Sequence, residues 1–175
     1  YDPAAFQQAE ISVAVVTGTV SATSVSTASY TESTTEYDFG PLDIYGTAGS
    51  DRYRGSIYND TIYGAEGNDT IHGGDGDDSI SGSWGDDYLM GGTGNDVIDG
   101  SWGRDQMHGG DGDDTLRGSF DDDLLIGNKG NDALYGGWNN DELWGKFGDD
   151  LLDGGGESNT LYGNQGDDTL YGGDG

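Results

Sequence analysis

The chain has 175 residues, 35 of them glycine, no cysteine, and 34 acidic against 6 basic side chains, for a formal charge of −28. That charge excludes nucleic acid and anionic membrane surfaces as direct partners, because every approach meets like charge, and it makes cations the natural partner. The missing cysteines exclude disulfides, thiolate metal sites and a cysteine nucleophile, so a glycine-rich chain needs another staple, for which bound metal is the candidate.

The chain opens on Tyr1 rather than Met and holds no apolar run near the roughly 20 residues of a membrane span. It reads as a processed product or a fragment, soluble, secreted, and without membrane insertion. Residues 10–37 are rich in Ser, Thr, Val and Ala, with a β-prone run at Ile11, Val13, Val15 and Val16. Residues 1–45 are therefore set apart as an N-terminal segment, either a linker or a strand available for docking or assembly, with residues 37–45 as an apolar lead-in.

From residue 46 onward, glycine opens every ninth position, from Gly46 and Gly55 through Gly163 and Gly172. The sixth position of each nonapeptide reads Asp51, Asp60, Asp69, Asp78, Asp87, Asp96, Asp105, Asp114, Asp123, Asp132, Asp141, Asp150, Asn159 and Asp168. The eighth is apolar throughout, from Tyr53, Ile62 and Ile71 to Leu161 and Leu170. Each nonapeptide reads as a six-residue turn followed by a three-residue strand whose middle side chain points inward. Two nonapeptides, 18 residues, close one coil, and stacking about seven coils at roughly 4.8 Å gives an all-β rod about 34 Å long. Glycine at the first and fourth positions is expected to supply the positive-φ and close-approach conformations of the turns.

This repeat resembles the RTX (repeats-in-toxin) pattern, Gly-Gly-x-Gly-x-Asp-x-U-x with U a large apolar residue. Residues 73–81, Gly-Gly-Asp-Gly-Asp-Asp-Ser-Ile-Ser, and 109–117, Gly-Gly-Asp-Gly-Asp-Asp-Thr-Leu-Arg, fit every position. The resemblance covers nearly three quarters of the chain. It implies a right-handed parallel β-roll (β-helix solenoid) over residues 46–175 that folds on binding Ca²⁺. It also implies that each ion lies between turns of successive coils, held by turn carbonyls and by the sixth-position carboxylates, here the thirteen Asp from Asp51 to Asp168.

Elementary chemistry agrees with that implication. Ca²⁺ takes hard oxygen ligands, and carboxylates stacked a few ångströms apart repel without a cation. Neighbours along one edge are 51/69, 69/87, 87/105, 105/123 and 123/141; along the other they are 60/78, 78/96, 96/114, 114/132, 132/150 and 150/168. About eleven divalent ions would carry about +22 and bring the formal charge of −28 to about −6.

The edges differ. Where Asp87, Asp105, Asp123 and Asp141 close their turns, the third position is Trp84, Trp102, Phe120 and Trp138, expected to stack as a ridge. Strands leaving that edge expose Tyr88, Met90, Leu124, Ile126, Trp144 and Tyr162, an apolar surface of the kind that marks interaction sites. Three roles fit the aromatic surface: burial against the N-terminal segment or a neighbouring subunit, stacking of polysaccharide rings, or stiffening of the edge. Calcium is expected to be less secure here, since Arg104 adjoins Asp105, Asp121 and Asn139 replace the fourth-position glycine, and Asn159 replaces Asp, so the site near Asp141 and Asn159 should be weak or absent. Tyr58 predicts an irregular first coil. His72 and His108 sit at the ninth position and are expected to face solvent, not to bind metal.

No nucleophile elbow, phosphate loop or zinc spacing occurs, and identical acidic pairs do not set one carboxyl apart for acid–base work, so no catalytic residue is assigned. The expected function is a non-catalytic extracellular calcium-binding structural protein. It would self-assemble as a homo-oligomer or polymer into a surface layer, sheath or filament, because the repeat stops without a polar cap at Gly175. The alternatives are the repeat tail of a secreted enzyme or toxin, and a carbohydrate-binding adhesin module.

Overall fold

The computed structural model describes residues 40–173. Fifteen strands alternate between two parallel sheets, odd-numbered strands in one and even-numbered in the other. The first two are short, β1 (Asp43–Tyr45) and β2 (Arg52–Arg54). The regular coils then run β3 (Thr61–Glu66), β4 (Thr70–Asp75), β5 (Ser79–Trp84), β6 (Tyr88–Thr93), β7 (Val97–Trp102), β8 (Gln106–Asp111), β9 (Thr115–Phe120) and β10 (Leu124–Lys129). They continue through β11 (Ala133–Gly137), β12 (Glu142–Phe147), β13 (Leu151–Gly155), β14 (Thr160–Gln165) and β15 (Thr169–Tyr171). Every pairing is parallel and offset by 18 residues, for example Ile62↔Ile80 and Leu125↔Leu143, which confirms the two-nonapeptide coil. Among the described residues there is no helix. The N-terminal segment lies mostly outside the described residues, but its end, β1, already pairs with β3.

The division of the nonapeptide differs from the expected one. Regular strands are six residues long and the turns three, because the ladder continues through the glycine and two residues beyond it. The irregular first coil is borne out, with β1 and β2 only three residues each.

Strand alternation explains which residues are inside. Positions six, eight and one share the inner face, so each nonapeptide turns one Asp, one large apolar residue and one glycine inward. Eleven apolar residues from Ile62 to Leu152 form the core at 0–2 % exposure. The opening glycine is needed for space rather than for φ. A Cβ at Gly100 would lie 2.2 Å from Asp105 Oδ2, so any larger residue evicts the carboxylate. Left-handed backbone falls instead at positions two and four, where non-glycine residues such as Ser83 (φ 83), Ser101 (φ 81), Asp121 (φ 77) and Asn139 (φ 81) also adopt it. Asp and Asn tolerate that region through their short polar side chains, so the turns survive the loss of the fourth-position glycine.

Leu116 is fully buried and Leu170 is 44 % exposed. In calcium, Leu116→Ala should therefore destabilise the fold by about 2–5 kcal/mol in denaturant titrations and Leu170→Ala by less than about 1 kcal/mol. Equal costs would mean that the ladder of Ile and Leu is not the core.

Candidate metal centres

The sixth-position carboxylates form two continuous ladders. Asp51 N–H donates to Asp69 Oδ1 at 2.7 Å, Asp69 N–H to Asp87 at 2.7 Å, and the chain continues through Asp105, Asp123 and Asp141. On the opposite edge the same bond links Asp60, Asp78, Asp96, Asp114, Asp132, Asp150 and Asp168. Each of the eleven neighbouring pairs expected from the spacing is thus a direct contact. Asp168 is only half-buried, whereas the eleven from Asp60 to Asp150 are 1–3 % exposed.

One oxygen of each carboxylate is satisfied in this way and the other is not. Oδ2 of Asp69, Asp78, Asp87, Asp96, Asp105, Asp114, Asp123, Asp132, Asp141 and Asp150 is buried without a hydrogen-bond partner among the described residues. The oxygen packs against the glycine that opens its own nonapeptide, with a carbonyl of the next coil beside it: a Cβ at Gly73 would lie 2.2 Å from Asp78 Oδ2 and 2.7 Å from Gly91 O. A buried, unpartnered carboxylate oxygen is costly unless a cation meets it. Desolvation, with neighbouring carboxylates adding to it, pushes Asp114 and Asp123 up to about 8 and Asp96, Asp105 and Asp132 up to about 7, against the opposing backbone N–H bond. Asp69, Asp78, Asp87 and Asp141 rise to about 6 for the same leading cause.

Among the described residues no three acidic or His side chains converge on one point, so side chains alone do not complete a calcium shell, and the turn carbonyls are required. All donors are hard oxygens, which suits Ca²⁺.

The ladder ends are built differently. Oδ2 of Asp51 accepts from Thr47 N–H and Oγ1, both at 2.8 Å, and Oδ2 of Asp60 accepts the N–H of Ser56. Desolvation raises the Asp51 carboxyl, but the two Thr47 bonds and a Tyr53 hydroxyl bond together outweigh it and hold the group below its ordinary value. These two carboxylates, expected as ligands like the rest, have partners inside their own turns. Asn159 keeps the ladder bond by accepting Asp141 N–H at 2.8 Å, and its Nδ2, lying where an Asp would place Oδ2, donates to Gly156 O at 2.8 Å. The amide needs no cation.

A second ladder was not foreseen. Fifth-position side chains on the turn surface accept the N–H of the fifth residue one coil later, opposite in direction to the inner ladder. Asn59, Asp77, Asn95, Asp113, Asn131 and Asp149 alternate along one edge, linked at 2.7–3.0 Å. Along the other edge Arg104 separates Asp86 from Asp122 and reaches Asp122 at 3.4 Å. Arg104 therefore pairs outward and does not neutralise the buried Asp105 next to it. The outer ladder interleaves neutral or basic residues between its carboxylates until the final pair, Asp149 and Asp167, while the inner one stacks carboxylate on carboxylate up to the terminal Asn159 of one row. That contrast is what marks the inner ladder as the one requiring cations. The alternation was visible in the residues but carried no meaning until the fifth position was known to accept.

The ridge is only partly as expected. Trp84 and Trp102 stack at 5.1 Å and Trp102 and Phe120 at 4.0 Å, nearly coplanar. Trp138 is outside the stack: β11 ends at Gly137, and although Trp138 N–H still donates to Ser119 O at 2.9 Å, its indole does not lie on Phe120. Trp144 lies on the even-numbered sheet, stacked on Tyr162 at 3.9 Å under the Lys146 ammonium. His72 and His108 lie on the outer face of the even-numbered sheet, as expected, but their neighbours leave them half-buried there, and desolvation lowers both imidazoles.

The RTX calcium-binding nonapeptide repeat model matches residues 45–80, 81–116, 108–143, 117–152 and 144–175. The chain belongs to the RTX calcium-binding repeat family. No curated protein matches it. The RTX β-roll is a structural calcium-binding unit, and the regular buried Asp at nine-residue spacing fit multiple Ca²⁺ sites. In this chain the ten Asp with an open Oδ2 would hold the ions, which would supply the positive charge that lets the carboxylates stay ionised in the interior.

Two outcomes follow from the ladders. Raised folded-state values mean that the metal-free fold binds protons more tightly than the unfolded chain, so its stability is present at low pH and lost as pH rises through about 6–8. In chelator, β circular dichroism should therefore grow on acidification from pH 8 to 5, whereas in limiting calcium the apparent affinity should fall over the same range. Asn159→Asp removes the amide that caps its row, and elemental analysis should then find one more Ca²⁺ per chain than in the native protein; an unchanged count would refute the account of Asn159.

Proposed function

We propose that this RTX β-roll is a non-catalytic, extracellular structural module that folds when calcium binds and associates with copies of itself into a layer, sheath or filament. The observation that carries the reading is the set of ten buried Asp Oδ2 atoms without a hydrogen-bond partner among the described residues. While its inner carboxylates are ionised, a chain with charge −28 and that interior is strongly disfavoured from closing in a calcium-poor compartment. Extracellular calcium modules operate with dissociation constants of about 10⁻⁴–10⁻³ M, which matches a chain kept open inside a cell and closed outside it.

Self-association draws on the outer face of the even-numbered sheet. There Met90, His108, Ile126, Trp144 and Tyr162 stand in one register, bordered by Tyr88 and Leu124. Once calcium has reduced the net charge, this apolar strip is a surface for a second copy.

Circular dichroism and sedimentation velocity, each in millimolar calcium and in chelator, test both parts. Calcium should convert an expanded monomer into a β-rich species that sediments as oligomers or polymers, visible by electron microscopy. Unchanged β signal after exhaustive chelation, with no metal by elemental analysis, overturns the calcium reading. A calcium-folded protein that stays monomeric at all concentrations overturns self-assembly and favours the alternative, the repeat tail of a larger secreted enzyme or toxin.

A further inference from the structure

The third position on the aromatic edge reads Glu66, Trp84, Trp102, Phe120, Trp138 and Gly156 in successive coils. Stacking covers both faces of Trp102 and one face each of Trp84 and Phe120, and among the described residues no glycine-floored hollow adjoins those rings. Trp138 is different. It is 61 % exposed, it makes no ring contact among the described residues, and the next coil places a glycine where a ring would lie on it. Gly137, Gly155 and Gly156 floor a hollow of about 530 Å³ walled by Trp138 and Glu157.

Polar groups surround this open face. Glu157 uses Oε2 to accept Asn139 N–H at 2.9 Å, which fixes its carboxylate at the rim. Its Oε1, the Asn139 side-chain amide and Trp138 Nε1 have no partner among the described residues. Glu157 (φ 58) and Asn139 (φ 81) both hold left-handed backbone, so the rim is shaped at some conformational cost.

From this geometry we infer that Trp138, Asn139 and Glu157 form a subsite for one neutral pyranose ring of a polysaccharide, going beyond the structural role proposed above. The C–H face of a sugar is flat, apolar and ring-sized, and it matches one bare indole face over glycine. Its hydroxyls supply donors for the Glu157 carboxylate and acceptors for the amide and indole N–H. The Glu157 carboxylate at the rim and the negative charge that remains after calcium binding disfavour acidic sugars. A quaternary ammonium, held best by several aromatic faces at once, would meet only one here. The sugar-binding expectation thus moves from the four-residue ridge to a single tryptophan that the ridge leaves unstacked.

Affinity electrophoresis in calcium, through gels containing laminarin, hydroxyethylcellulose, xylan, galactomannan or dextran, with alginate as the acidic comparison, tests the assignment. At least one neutral polymer should retard the native protein and alginate should not. Trp138→Ala should weaken that retardation tenfold or more, and Glu157→Gln several-fold. Gly156→Leu should abolish it by filling the slot: a Cβ there meets Trp138 Cε3 and Gly137 O at 3.7 Å, ordinary contact distances, so the fold is expected to keep its circular dichroism. Trp84→Ala should bind like the native protein. Retardation by none of the five neutral polymers, retardation by alginate alone, full binding by Trp138→Ala, or equal loss in Trp84→Ala would each overturn the subsite. None of these results bears on calcium-driven folding, which circular dichroism reads separately.

Discussion

The structure depends on a carboxylate that is only half satisfied. Ten of the thirteen inner Asp join their coil to the preceding one through Oδ1 and leave Oδ2 buried without a partner among the described residues. The apolar core is too narrow to impose this arrangement alone, since each nonapeptide contributes one large side chain. The same Asp that holds coils in register would drive them apart when ionised. Calcium, which the repeat family binds, reconciles the two by making the ionised form acceptable inside.

Glycine is the spatial counterpart of that requirement. Because positions six, eight and one face inward together, the carboxylate lies over the glycine that opens its own nonapeptide, and the missing Cβ is the room it occupies. Serine, alanine and lysine at position two, and Asp, Asn and Glu at position four, hold left-handed backbone at those places. The strict glycine of the repeat is therefore the one that makes room, not one that bends the chain.

Much of this was legible in the residues. The period of nine fixed the coil, the inward Ile and Leu, the two Asp rows and their neighbour pairs, because a solenoid maps sequence spacing directly onto space. What stayed hidden depended on local backbone direction. The strands run through the glycine instead of stopping at it, the fifth-position side chains form a ladder of their own, and Arg104 turns outward to Asp122 rather than toward Asp105. Trp138 shares its repeat position with Phe120 but not its stack, since β11 ends one residue short of where β9 does. The replacement at Asn159 was visible, but only its second hydrogen bond shows how an amide closes the row.

The opposed directions of the two ladders give the rod a head and a tail. Facing one way, a coil offers inner N–H groups together with outer side-chain acceptors; facing the other, it offers inner carboxylate oxygens together with outer N–H groups. Joined tail to head, such faces continue both patterns, whereas two like faces set matching groups against each other. In the self-association proposed above, end-on contact would therefore favour propagation in a single direction, a thread with polarity, over a closed symmetric pair.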